Sequence, residues 1–166
     1  MIIVVLGLPG TGKSYFAEKL SNRLDAVHIN SDRLRNALRA RGKYTIGDKL
    51  HIYQIMAEKA GQALNQGKSV IVDATFYKRM MIDLFLRLAK DHASRIRFIK
   101  IEAHETLVQE RLRKPRIDSE ADFEVYLKIK REFEELQVPY LALRSEEHNI
   151  HTMIESALHY IGGLHE

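Results

Sequence analysis

The stretch Gly7-Leu8-Pro9-Gly10-Thr11-Gly12-Lys13-Ser14 has the residue types and spacing to hold a polyphosphate. In the pattern G-x-x-x-x-G-K-[ST], a glycine-rich turn aims backbone N–H groups at phosphate oxygens, at the positive end of the helix that follows. Lys13 is placed to reach the terminal phosphates, and the Ser14 hydroxyl to hold Mg²⁺. The expected contacts of a bound ATP are thus Gly7, Pro9, Gly10, Thr11, Gly12, Lys13, Ser14 and Tyr15, with Lys13 also serving the chemistry.

Further chemistry is expected just beyond other apolar runs, because ligands of open parallel α/β sheets sit outside the carboxyl ends of the strands. Asp32 follows Val27-His28-Ile29, and two uses fit it: capping the next helix, or accepting the proton of an alcohol that attacks the γ-phosphate. Asp73 closes Val70-Ile71-Val72 and has the placement of a carboxylate that orients Mg²⁺ or contacts substrate; a strand-to-helix cap is the alternative, with Thr75 its rival. Arg79, a turn onward, is either a phosphate contact or an exposed helix arginine. Arg111-Leu112-Arg113-Lys114-Pro115-Arg116 sets four cations around a proline break. Such a segment either complements a helix dipole or forms a short basic lid whose arginines, Arg111 and Arg116, fold over ATP and the transferred phosphoryl. Arg35 and Arg39, with Arg33, Arg41 and Lys43 nearby, offer an acceptor surface or a solvated stripe.

The elements that would position these groups alternate. Ile2 to Leu6 reads as a strand, followed by a helix from Lys13 with Phe16, Ala17, Leu20 and Leu24 on one face. Ala26 to Ile29 is a short strand, and Asn30, Ser31 and Asp32 supply N-cap residues for a helix from Arg33 to Arg41 that buries Leu34, Ala37 and Leu38. A long helix after Gly47 buries Tyr53, Met56, Ala57, Ala60, Ala63 and Leu64. Ser69 to Asp73 is a strand covered on both faces, a helix spans Lys78 to Lys90, Arg95 to Ile101 is a fourth strand, and a helix runs from Glu105 to Arg113. Ser119-x-x-Asp122 resembles a capping box ahead of a helix with Phe123, Tyr126, Leu127 and Phe133 inward. Tyr140 to Leu143 is a candidate fifth strand, and a last helix runs from Ile150 to Tyr160. The expected fold is one α/β domain over residues 1–166: a parallel sheet of about five strands with helices on both faces and a basic lid.

Composition sets the outer bounds. A chain of 166 residues buries a proper core, and the absence of cysteine excludes disulfides, thiolate catalysis and thiolate zinc sites. Hydrophobic runs are short and broken by charge, so neither a membrane span nor a leader is indicated and the expected location is the cytoplasm. A formal charge of +4 favours anionic partners without choosing among them, and no protein partner can be inferred. His148 and His151 share helical spacing but have no third ligand nearby, so they read as a solvated pair.

Taken together, GLPGTGKS, Ile29-Asn30-Ser31-Asp32-Arg33-Leu34-Arg35, Val70 to Thr75 and Arg111 to Arg116 resemble the small P-loop kinases typified by the phage-type polynucleotide 5′-hydroxyl kinase domain. The resemblance runs to the helix before Pro139. It implies that Asp32 is the general base, that Arg35 grips the acceptor phosphate, that Lys13 and Ser14 meet the γ-phosphate and Mg²⁺, and that Arg111 or Arg116 is a lid arginine. The family often has Asn after the Asp-Ala-Thr segment, where this chain has Phe76. The implied activity moves the γ-phosphate of ATP to an alcohol, foremost a polynucleotide 5′-OH. The alternatives are a small-molecule kinase acting on gluconate, a nucleoside, an antibiotic or a nucleotide sugar, and a nucleotide-binding ATPase or switch module.

Overall fold

The computed structural model describes residues 1–115 and 121–163. The chain alternates as β1 (Ile2–Leu6), α1 (Lys13–Leu24), β2 (Val27–Asn30), α2 (Ser31–Ala37), α3 (Ile46–Asn65), β3 (Val70–Asp73), α4 (Arg79–Asp91), β4 (Ile96–Ala103), α5 (Glu105–Arg113), α6 (Phe123–Glu132), β5 (Leu141–Ser145) and α7 (Ile150–Gly162). All five strands are parallel, in the order β2-β3-β1-β4-β5. This is the expected α/β P-loop fold.

β1 lies at the centre because it is apolar on both faces, and all five of its side chains are buried. Ile2, Val4 and Leu6 pack with α3 and α4, whereas Ile3 and Val5 pack with Phe16, Ala17 and Leu20 of α1 and with Met153, Ile154 and Ala157 of α7. A third, small cluster joins Val108 and Leu112 of α5 to Tyr126 of α6 above the sheet's carboxyl end. From β1 the chain crosses to β2 and β3 on one side, then to β4 and β5 on the other. The loop after β1 therefore sits at the reversal of strand order, where such sheets open a crevice.

Several expected boundaries move. α2 ends at Ala37 rather than Arg41, and Arg39 adopts φ 53° in the turn beyond it. Its buried stripe is Leu34 with Arg35; Ala37 and Leu38 are exposed, because the helix stops before they can turn inward. The cap of α2 is Asn30, whose side chain accepts from the Arg33 N–H, and not Asp32. α3 begins with a reciprocal capping box, Thr45 and Asp48, that sequence reading missed. Asp122 caps α6 by accepting from the Val125 N–H; Ser119, the other half of the expected box, lies outside the described residues. β4 and β5 each run two residues further than expected, to Ala103 and Ser145.

Candidate active site

The loop from Gly7 to Gly12 delivers the chain into α1 with Gly12 as N-cap at φ 87°. That cap brings no side-chain acceptor, and the first turn of α1 holds no acidic residue, so its N–H groups at the positive end of a helix of 12 residues are suited to an anion. Within the loop the Thr11 hydroxyl donates to the Leu8 carbonyl at 2.9 Å, and Lys13 Nζ lies 3.4 Å from the same oxygen. Arg111, from the last turn of α5, donates to the Gly10 carbonyl at 3.4 Å and to Ser145 Oγ at 3.0 Å, tying β5 to the loop. Partial burial lowers the Arg111 pKa, and Glu147 nearby opposes that shift.

Asp73, fully buried, gathers polar groups from β2 and α1. Its Oδ2 accepts from Asn30 Nδ2 at 2.7 Å and faces His28 Nε2 at 3.0 Å; its Oδ1 accepts from Ser14 Oγ at 3.4 Å. Asn30 Nδ2 also donates to Ser14 Oγ at 3.0 Å. Register explains the grouping, since Asn30 pairs with Asp73 and both face the α1 side of the sheet. A carboxylate and a hydroxyl side by side beneath a phosphate loop are a hard oxygen donor set. They fit Mg²⁺, which takes one or two protein oxygens and completes its shell with water and substrate phosphates.

A cleft of about 400 Å³ extends from Pro9, Lys13, Ser14 and Asp73 to Asp32, Arg35 and Thr75, with Tyr44 and Lys49 on one wall and Val125, Lys128 and Ile129 of α6 on the other. Arg35 is the unusual feature. Its side chain is only 8% exposed, its NH1 bonds Asp32 Oδ1 at 3.0 Å, and its guanidinium lies 5.0 Å from the centre of the Tyr44 ring. Buried Arg35 Nε has no hydrogen-bond partner among the described residues. Tyr53 forms part of the floor: its hydroxyl accepts from the Phe76 N–H at 2.9 Å and lies 3.3 Å from Thr75 Oγ1. Burial is the main cause of a Tyr53 pKa pushed up to about 12.

The fold thus brings Lys13, Ser14, Asp32, Arg35, Asp73 and Thr75 to one cleft, with Pro9 on its edge. It does not bring Arg79 there. That side chain is 67% exposed, pairs with Asp83 at 3.9 Å and lines a separate depression with Glu134 and Leu136. The turn after Thr75 is the reason: Phe76 takes φ 51° and drives its ring into the core against Tyr53 and Phe85, which sends α4 away from the cleft. Tyr15 is exposed, with Lys19 Nζ 5.3 Å from its ring centre, and does not line the cleft. Nor does Arg39, beyond the end of α2. Arg116, with the lid assigned to it, lies outside the described residues. His148 and His151 are exposed, and among the described residues no three acidic, histidine or cysteine side chains gather as a metal site. No helix among the described residues is long and apolar enough to cross a membrane.

Sequence reading missed His28, Asn30, Lys49 and Tyr53. The first two carried a signal: polar residues at alternate positions of a buried strand point to one face and need partners there.

Solved structures similar to this one share its fold at low identity. A gluconokinase from Sinorhizobium meliloti 1021 superposes with a TM-score of 0.74 at 20% identity, covering 98% of this chain and 91% of its own. The Mycobacterium tuberculosis APS kinase CysC, in complex with AMPPNP and APS, gives 0.74 at 16% identity over 96% of both chains. Chaetomium thermophilum Kti12 in complex with ADP-AlF3 gives 0.71 at 17% identity, covering 98% of this chain and 100% of its own. Among curated relatives, the uncharacterized protein Rv2004c of Mycobacterium tuberculosis is 33% identical over 107 residues, 57% of this chain, and Mb2027c of Mycobacterium bovis matches to the same extent. This chain's match spans 22% of the length of those relatives. The phage-type polynucleotide kinase resemblance gains no specific support from these relatives. The sequence profile of the AAA domain family matches residues 2–136, and with the phosphate loop inside that match the chain belongs to this family.

Proposed function

We propose that the protein transfers the γ-phosphoryl group of ATP to a hydroxyl of a small anionic molecule bound in the cleft. The observation that carries this reading is the continuity of one cleft from Lys13 and Ser14 to Asp32 and the buried Arg35. The polynucleotide 5′-OH expected from sequence yields to the small-molecule alternative, which the gluconokinase and APS kinase neighbours favour. A pocket of about 400 Å³ fits a molecule of that size.

In this mechanism the N–H groups before and within the first turn of α1 hold the β- and γ-phosphates, and Lys13 neutralises charge on the γ-phosphoryl as it leaves ADP. Ser14 and Asp73 would hold Mg²⁺, which would supply positive charge to offset that of the phosphates. Asp32 accepts the acceptor's hydroxyl proton while that oxygen bonds to phosphorus and the bond from phosphorus to the ADP oxygen breaks. Arg35 holds Asp32 in place through NH1 and sets its positive charge on the cleft lining for the acceptor's anionic group. A positioned general base contributes roughly 10²- to 10⁴-fold, so Asp32 accounts for about 3 to 5 kcal/mol of the barrier.

The test is incubation with γ-labelled ATP and Mg²⁺ against sugar acids, neutral sugars, nucleosides, nucleotides and 5′-OH oligonucleotides. Label on a small anionic alcohol is the expected result. Label on oligonucleotides alone, with affinity falling steeply as salt rises, returns the reading to a polynucleotide kinase. Label released only as inorganic phosphate leaves an ATPase.

A further inference from the structure

β2 is an edge strand, and its sequence Val27-His28-Ile29-Asn30 alternates. Ile29 joins the core shared with α3, and His28 and Asn30 face the opposite side, toward α1. Register pairs His28 with Ile71 and Asn30 with Asp73, so the imidazole reaches two residues along the strand, to the next position on the same face, to meet the carboxylate. The His28 side chain is 9% exposed and that of Asp73 is fully buried. A valine or isoleucine would fill this position without desolvating a ring nitrogen, so a buried imidazole bonded to a buried carboxylate is an arrangement that packing does not require.

The bonds are divided between the two carboxylate oxygens. Oδ2 takes Asn30 at 2.7 Å and His28 at 3.0 Å, whereas Oδ1 has the long Ser14 contact at 3.4 Å. A carboxylate only accepts, so this contact is a hydrogen bond for an imidazole that carries a proton on Nε2. Asn30 is itself committed at both ends, its amide nitrogen to Asp73 and Ser14 and its oxygen to the Arg33 N–H that opens α2. It cannot follow the carboxylate if Asp73 turns.

We propose that His28 is a positioning residue for phosphoryl transfer, clamping Oδ2 of Asp73 so that Oδ1 stays presented to Ser14 and the phosphate loop. This rests on the reading of Asp73 as the carboxylate that serves Mg²⁺. Groups that orient a metal-binding carboxylate typically matter by 10- to 100-fold. His28→Leu is expected to lower kcat by roughly that range and to weaken, to a similar degree, the gain in nucleotide affinity that magnesium chloride confers. His28→Gln, which returns an N–H donor near Nε2, is expected to recover most of both.

The assay is binding of a fluorescent ATP analogue, titrated with magnesium chloride and repeated in EDTA, beside Asp73→Asn and steady-state kinetics. Equal impairment of His28→Gln and His28→Leu overturns the proposal, as does an unchanged magnesium response in His28→Leu while Asp73→Asn loses it. If Asp73→Asn keeps the response, the reading of Asp73 fails, and with it this one. A wild-type measurement covers variants that do not fold: the ring ¹⁵N spectrum of His28 should show the proton on Nε2 and should move when magnesium chloride and the analogue are added together. A proton on Nδ1, or no movement, overturns the proposal.

Discussion

Alanine at Gly7 should disable the protein through geometry rather than chemistry. The residue has φ 150°, and a Cβ there would lie 2.4 Å from the Ile101 carbonyl oxygen and 3.2 Å from Thr11 Oγ1. The oxygen belongs to β4, next to β1 in the sheet, so relief requires moving backbone rather than turning a side chain. A conformation of this kind costs an ordinary residue about 1 to 3 kcal/mol, and overpacking adds about 1 to 3 kcal/mol. Together these come to about 2 to 6 kcal/mol, a large part of the roughly 5 to 15 kcal/mol typical of a domain. Gly67 is the control: its φ is 75° and a Cβ there meets nothing within 4 Å, so Gly67→Ala carries backbone strain alone. That strain is worth about 1 to 2 kcal/mol. Urea unfolding followed by circular dichroism measures both. With a urea slope of about 1 to 3 kcal/mol per molar, the Gly7→Ala midpoint should fall by about 1 M or more below wild type and clearly below Gly67→Ala. Equal midpoints for the two variants would refute the steric argument.

Tyr53 gives a pH prediction. Its pKa is raised to about 12 in the folded chain from an ordinary value of 10.0, so the folded state keeps the phenol proton that the unfolded chain has begun to lose. Its contribution is complete below about pH 10 and is lost as pH rises toward 12, on the order of 2 to 3 kcal/mol across that window. Stability measured from pH 9 to 12 should therefore fall more steeply for wild type than for Tyr53→Phe; parallel curves would contradict it. Arg79→Ala should leave phosphotransfer within about twofold of wild type and stability within about 0.5 kcal/mol, because the side chain is exposed and away from the cleft. A large kinetic loss would return Arg79 to the substrate.

What the sequence made legible was local and contiguous. The phosphate loop is one run of residues between a strand and a helix, and Asp73 ends an apolar run, so both are positions that short-range pattern marks. The partners of Asp73 are different in kind. They depend on β2 lying beside β3 rather than β1, a long-range choice of strand order that no window around His28 contains. Arg35 left two readings open, an acceptor surface or a solvated stripe, because the burial that separates them comes from the ring of Tyr44, distant in sequence, as well as from Asp32 beside it. Arg79 was placed by counting a helical turn from Thr75, a count that the left-handed Phe76 breaks. Tyr53 read correctly as core, while its hydroxyl, which supports the turn at Thr75 and Phe76, left no trace in hydrophobic spacing.

The central claim is that a carboxylate across the cleft from the phosphate loop takes the acceptor's proton. Its most direct test is single-turnover transfer from ATP by Asp32→Asn, which keeps an oxygen for Arg35, with nucleotide Kd measured on the same preparation. The rate should fall by about 10²- to 10⁴-fold while Kd stays within about threefold. A rate within threefold of wild type would contradict the account.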